Sequence, residues 1–202
     1  EVLRDADLAL YEAKRRGKSQ YVVFDARMRH EKAVRQHLNN ELRAAIEDNN
    51  LSIDYQPIVN LLTNRVVGCE ALARWHHSVM GQIATKEFID IAEASGFVDR
   101  LDHLVIEKAV GSLAKWLQHP AIPEDFYLSV NISSKLFYSQ NLPAFLTNLL
   151  NTYGLKGKSL RLEVSEDLLL KRYQIAEAIL ERLQSMDIRV CLDNFSMEHA
   201  SL

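Results

Sequence analysis

The chain reads as an α/β protein on a parallel sheet, and three observations carry that reading. Apolar runs rich in strand formers, at 126–133 (FYLSVNIS), 160–166 (LRLEVSE) and 188–195 (IRVCLDNF), alternate with stripes of helical period. These runs, and the earlier 66–75 (VVGCEALARW), acquire an oxygen-bearing side chain: Glu70, Asn131, Glu163 and Asp193. With 48% hydrophobic residues in 202, the chain has ample material for a core. Strand C-termini line the active-site face of parallel α/β folds, so these four side chains should converge although they lie far apart in sequence.

Taken in order, Leu3, Ala6, Leu10 and Ala13 mark a helix that Gly17 ends, and Tyr21-Val-Val-Phe24 reads as extended. From Asp25 to Asn50 charged residues dominate, yet Val34, Leu38, Leu42, Ala45 and Ile46 give one apolar stripe, the pattern of a connecting helix. Leu51 to Asn60 follows as the first strand. Helices are expected from Thr85 (Phe88, Ile91, Ala92), from Asp99 (Leu101 to Leu117), over 143–153 and over 173–186. Pro120 and Pro123 break the chain before the strand at 126.

Composition excludes several classes. A net charge of −3 argues against a general nucleic-acid binder, and the seven histidines form no HExxH pair. There is no run of 18 apolar residues and no signal peptide, and the absence of an initiator Met makes the chain read as an excerpt. Cys69 and Cys191 lie in predicted buried strands without CxxC spacing, which reads as small core residues in a reducing cytoplasm. His76-His77 reads as the end of a strand. The basic cluster Lys14, Arg15, Arg16 and Lys18 reads as a solvated helix end.

The strand 66–75 is chemically odd. With period 2, Glu70, Leu72 and Arg74 share one face and Cys69, Ala71, Ala73 and Trp75 the other, so carboxylate and guanidinium point the same way. An oxygen-only set suits a hard cation such as Mg²⁺ or Mn²⁺.

These residues resemble the EAL-domain phosphodiesterases, which open cyclic di-GMP to the linear dinucleotide pGpG. The resemblance rests on Tyr55-Gln-Pro-Ile-Val59, Glu70-Ala-Leu-Ala-Arg-Trp75, Val130-Asn-Ile-Ser133, Glu163-Val-Ser-Glu166 and Leu192-Asp-Asn-Phe195, in the family's order and spacing. It implies a modified TIM-like (β/α) barrel, of which residues 51–202 would supply roughly five of eight strands. It further implies Glu70, Asn131, Glu163 and Asp193 as ligands of Mg²⁺ or Mn²⁺, Gln56, Leu72 and Arg74 as contacts to cyclic di-GMP, and Glu166 as anchor of a catalytic loop. Residues 1–24 are similar to the C-terminal tail of a GGDEF-type cyclase domain, which with sensory domains would lie upstream and could anchor the parent at a membrane; 25–50 would be the linker helix.

The chain also departs from the family. Asn194 stands where a second aspartate is usual, which removes a charge from a two-cation site, and Ser196 to His199 replace a glycine-containing turn. The family's catalytic lysine and general-base glutamate have no counterpart before Leu202, so hydrolysis by these residues alone is not expected. A sheet left open would expose edge groups, which predicts low stability in isolation. Three readings follow: a phosphodiesterase excerpt, a degenerate domain that binds cyclic di-GMP without cleaving it, and a structural module marked by ligand-independent dimerisation.

Overall fold

The computed structural model describes residues 2–15 and 21–193. Two helices come first, α1 (Val2–Arg15) and α2 (Ala26–Glu47). Asp25 caps α2 by accepting from the Arg27 N–H at 2.9 Å, which satisfies one of the amides a helix start leaves unpaired. Leu38, Leu42 and Ala45 bury one face of α2 in the main core, so this helix is packed against the sheet domain. The stripe expected on α1 is mostly exposed: Ala13 is covered, whereas Leu3, Ala6 and Leu10 are exposed, and the other covered apolar residue among those described is Ala9. Residues 21–24 form no strand, a correction to the expected helix-strand pair. A strand needs a neighbour for its N–H and C=O groups, and among the described residues this segment has no ladder partner.

Among the described residues the sheet has six strands: β1 (Ser52–Asn60), β2 (Arg65–His77), β3 (Gly81–Ile83), β4 (Tyr127–Asn131), β5 (Leu160–Ser165) and β6 (Arg189–Asp193). Its order is β1-β2-β4-β5-β6, with β3 paired to β2. β2, β4, β5 and β6 run parallel, but β1 is antiparallel to β2, which corrects the expectation of a uniformly parallel sheet. The cause is the connection: residues 61–64 are too few for the crossover that a parallel pair requires. Asn60 closes this hairpin by accepting from the N–H groups of Leu62 and Thr63, both at 3.0 Å. Pro57, which lacks a donor, is tolerated because β1 is an edge.

The parallel strands are joined by helical crossovers: α3 (Thr85–Ala94) and α4 (Val98–Trp116) after β2, α5 (Ser134–Phe137) and α6 (Leu142–Tyr153) after β4, and α7 (Glu166–Lys171) and α8 (Tyr173–Ser185) after β5. One sheet face carries Cys69, Ala71, Trp75, Leu128, Val130, Leu160, Leu162 and Val164. With Phe88, Ile106, Val110, Leu113 and Leu146 from the helices they form a continuous core. Gly68 permits the close approach of β2 to β4, since a Cβ there would stand 2.6 Å from the Tyr127 carbonyl oxygen. Cys69 is buried as expected, whereas Cys191 is only half-buried, a correction to its expected core placement: it pairs with Glu163 and so lies on the sheet face opposite the core. Among the described residues no helix is long and apolar enough to cross a membrane. The sheet is mixed and the class α/β.

Candidate functional site

The opposite sheet face is polar, and its polarity follows from alternation. In β2 the residues between Cys69, Ala71 and Trp75 are Glu70, Leu72 and Arg74, all half-buried. Strand pairing places Gln56 opposite Glu70 across β1 and β2, and Asn131 beside Glu163 across β4 and β5. Asn131 Nδ2 donates to Glu70 Oε1 at 2.8 Å, which ties β4 to β2 through side chains as well as backbone. Ser129 Oγ donates to Glu163 Oε1.

Electrostatics bring the fourth residue in. Burial first, then the charges of Glu70 and Asp193, push the Glu163 carboxyl above its usual range, and the hydrogen bond from Ser129 pulls the other way. Glu70, Glu163 and Asp193 therefore feel one another at one place on the sheet, with Asn131 between them. Asp193 ends β6, one pleat beyond Glu163, in register with Ser165. The donor set is all oxygen and crowded with like charge, which fits a hard divalent cation: such an ion would relieve the repulsion that now favours protonation of Glu163.

Arg74 shares the face but is engaged elsewhere. Its Nε donates to Asp54 Oδ2 at 2.8 Å, and its Nη1 to the Ala73 carbonyl at 3.0 Å and to Thr85 Oγ1 at 3.2 Å. Three partners fix the guanidinium plane, while the exposure of Asp54 (62%) leaves the ion pair well screened. Leu72 lies between Glu70 and Arg74. Glu166 opens α7, where a negative charge faces the positive end of the helix. Asn194 and the turn at 196–199 lie outside the described residues.

Sequence reasoning missed Ser129, Asp54, Thr85 and Asp102. Ser129 stands two residues before Asn131 in FYLSVNIS, so the same alternation that selected Asn131 marks it. Asp102 had no such signal. It lies in α4 among core positions, 9% exposed, and accepts from the Ser133 N–H at 3.1 Å and from the Ser133 hydroxyl. Burial raises its carboxyl to about 6.

A second polar cluster sits away from this face. His37 and Glu41 of α2 and His77 at the end of β2 place their ligand atoms within 4.8 Å of one another, spacing that resembles a metal site. The hydrogen bonds argue for a proton instead. His77 Nδ1 accepts from the N–H groups of Val79 and Met80, both at 3.1 Å, so the single proton of a neutral ring belongs on Nε2, directed at Glu41. A metal-bound nitrogen would have to surrender that proton, and the other nitrogen has no acceptor to give it to. The contact joins α2 to β2.

Comparison with known proteins identifies the family. A family model described as the EAL domain matches residues 39–202. The chain belongs to the EAL-domain family. Its match begins inside α2, the helix whose apolar face is built into the EAL core. An uncharacterized signaling protein of Caulobacter vibrioides is 34% identical over 201 residues, covering 100% of this chain and 24% of that protein. The EAL chain thus spans about a quarter of that relative's length. Among solved structures, the PaMucR phosphodiesterase in complex with c-di-GMP aligns with a TM-score of 0.76 at 30% identity, covering 82% of this chain and 66% of that one. The EAL enzyme Bd1971, in its cAMP- and cyclic-di-GMP-bound form, aligns with a TM-score of 0.75 at 26% identity over 96% of this chain and 50% of its own.

Proposed function

We propose that this EAL chain supplies the first part of a cyclic di-GMP site. Glu70, Asn131, Glu163 and Asp193 hold Mg²⁺ or Mn²⁺, Gln56, Leu72 and Arg74 contact the nucleotide, and the whole protein hydrolyses cyclic di-GMP to pGpG. One observation carries the reading: Asn131 bonds to Glu70 and pairs beside Glu163, whose carboxyl is raised first by burial and then by the charges of Glu70 and Asp193. When bound, the cation polarises phosphoryl oxygens and lowers the pKa of the attacking water. The chain's own residues orient the substrate. Arg74, whose Nε and Nη1 are held by Asp54, the Ala73 carbonyl and Thr85 before the ligand arrives, keeps its Nη2 to donate to a phosphate oxygen. Gln56, exposed on β1 opposite Glu70, is placed to meet a base edge. Glu166, next to the end of β5 at the start of α7, stands where the family's counterpart anchors a catalytic loop. In the same reading the sheet is the opening part of a TIM-like barrel, residues 1–24 are the tail of a GGDEF domain, and the chain works in the cytoplasm.

A second reading, a receptor that binds cyclic di-GMP without cleaving it, is favoured by Asn194, whose neutral amide is a weaker cation partner than a carboxylate. One experiment separates the two. The full-length protein and its Glu70→Ala variant are incubated with cyclic di-GMP and Mg²⁺, turnover to pGpG is measured, and binding is followed by calorimetry. Cation-dependent turnover lost in Glu70→Ala supports the enzyme, and binding without turnover supports the receptor. Neither turnover nor binding rejects both.

A further inference from the structure

The turn that follows Asn131 is held from two directions. On the β5 side the Ile132 N–H donates to the Glu163 carbonyl at 3.0 Å. On the α4 side the Asp102 carboxylate accepts both donors of Ser133 through one oxygen, Oδ2. Ser133 Oγ also caps α5, accepting from the Leu136 N–H at 3.3 Å. A second tie between the same helices lies alongside: Lys135 Nζ donates to Asp99 Oδ1 at 2.7 Å and to the Gly96 carbonyl. The two ties differ in kind. Lys135 and Asp99 are partly open to water, with side chains 48% and 35% exposed, so their pair is screened, whereas Asp102 is 9% exposed.

A buried carboxylate in an otherwise apolar helix face is costly, and α4 would pack more cheaply with a leucine. What Asp102 alone supplies is an acceptor aimed at the backbone two residues beyond Asn131. The groups that face it are Ser133 from the turn and Asp99 and His103 from its own helix. We infer that Asp102 is a positioning residue: through Ser133 it fixes the end of β4 so that Asn131 meets Glu70. The inference rests on the proposed role of Asn131 at a cation site. Residues that orient ligands from behind in this way typically change metal affinity about 10- to 100-fold when removed.

The test uses the full-length protein at pH 7.5 with the variants Asp102→Ala, Asp102→Asn and Ser133→Ala. Two readouts are followed: the side-chain amide resonance of Asn131 without metal, and Mn²⁺ affinity from the electron paramagnetic resonance signal of the free ion. In Asp102→Ala the Asn131 resonance moves and Mn²⁺ binds about tenfold or more weakly. Asp102→Asn, whose amide oxygen still accepts from the Ser133 N–H, recovers most of both. Ser133→Ala removes only the hydroxyl donor, keeps the reading available if Asp102→Ala does not fold, and shows a smaller change of the same sign. An unmoved Asn131 resonance in folded Asp102→Ala and Ser133→Ala overturns the inference. If the resonance moves but the wild type binds no Mn²⁺, positioning stands and the cation reading falls.

Discussion

Asp102 also makes a prediction about stability whose sign can be worked out. Its carboxyl is raised from 3.8 to about 6, first by burial, with the hydrogen bonds from Ser133 opposing. The fold therefore favours the neutral form. Whatever stability that preference contributes is complete below pH 3.8 and is lost as pH rises through about 6, where the buried group must ionise. The full interval corresponds to roughly 3 kcal/mol, of which roughly 2 kcal/mol falls between pH 4 and pH 7.5. Asp102→Asn is neutral at every pH and close in shape, so the variant should gain on the wild type by about that amount as pH is raised across this window. Urea unfolding followed by the fluorescence of Trp75 and Trp116, at matched pH values, measures the difference. Other titrating groups cancel because both proteins carry them. The hydrogen bonds from Ser133 to the ionised carboxyl are already contained in the value of about 6, so their loss adds no separate slope. A difference between variant and wild type that stays flat from pH 4 to pH 7.5 would refute the argument.

Two other perturbations probe the scaffold. Glu41→Ala leaves the Nε2–H of His77, whose side chain is 4% exposed, without its acceptor, and should cost about 1–3 kcal/mol in a urea titration. Zn²⁺ should raise the melting temperature of the wild type no more than that of His37→Ala, which keeps the sheet-face carboxylates, and a larger rise in the wild type would show that the proton on Nε2 had been wrongly placed. Gly68→Ala puts a Cβ 2.6 Å from the Tyr127 carbonyl and should destabilise by about 1–3 kcal/mol. Unchanged melting in that variant would mean that β2 and β4 can separate at no cost.

How much could be read from the sequence depended on whether the determining physics was local. Periodicity located β2, β4, β5 and β6 and the longer helices to within a residue or two, because each buries a continuous stripe. It did not see β3, α5 or α7, which are too short to show a period. The direction of β1 was legible in principle from the short connection at 61–64 and was overridden by the expectation of regular strand and helix alternation. Glu70, Asn131 and Glu163 were recoverable because they interrupt apolar strands on a fixed face. The commitment of Arg74 to Asp54, the support of Glu163 by Ser129 and the bond from Asp102 to Ser133 were not. Each joins segments 20, 34 and 31 residues apart, and nothing in the local pattern of either partner announces the other.

The two faces of the sheet explain why such a site can persist. Glu70 lies between Cys69 and Ala71, Asn131 follows Val130, and Glu163 lies between Leu162 and Val164. Every one of those neighbours is 5% exposed or less and faces the helices. Strand geometry sends consecutive side chains to opposite faces, so the burial that fixes the apolar neighbours also fixes the backbone from which the carboxylates project. Glu70 and Glu163 cannot be drawn apart by moving their strands without opening that core. Their repulsion adds to the burial that already raises the Glu163 carboxyl, and a bound proton or cation relieves it. Affinity for a positive charge is thus a consequence of the packing on the far side of the sheet.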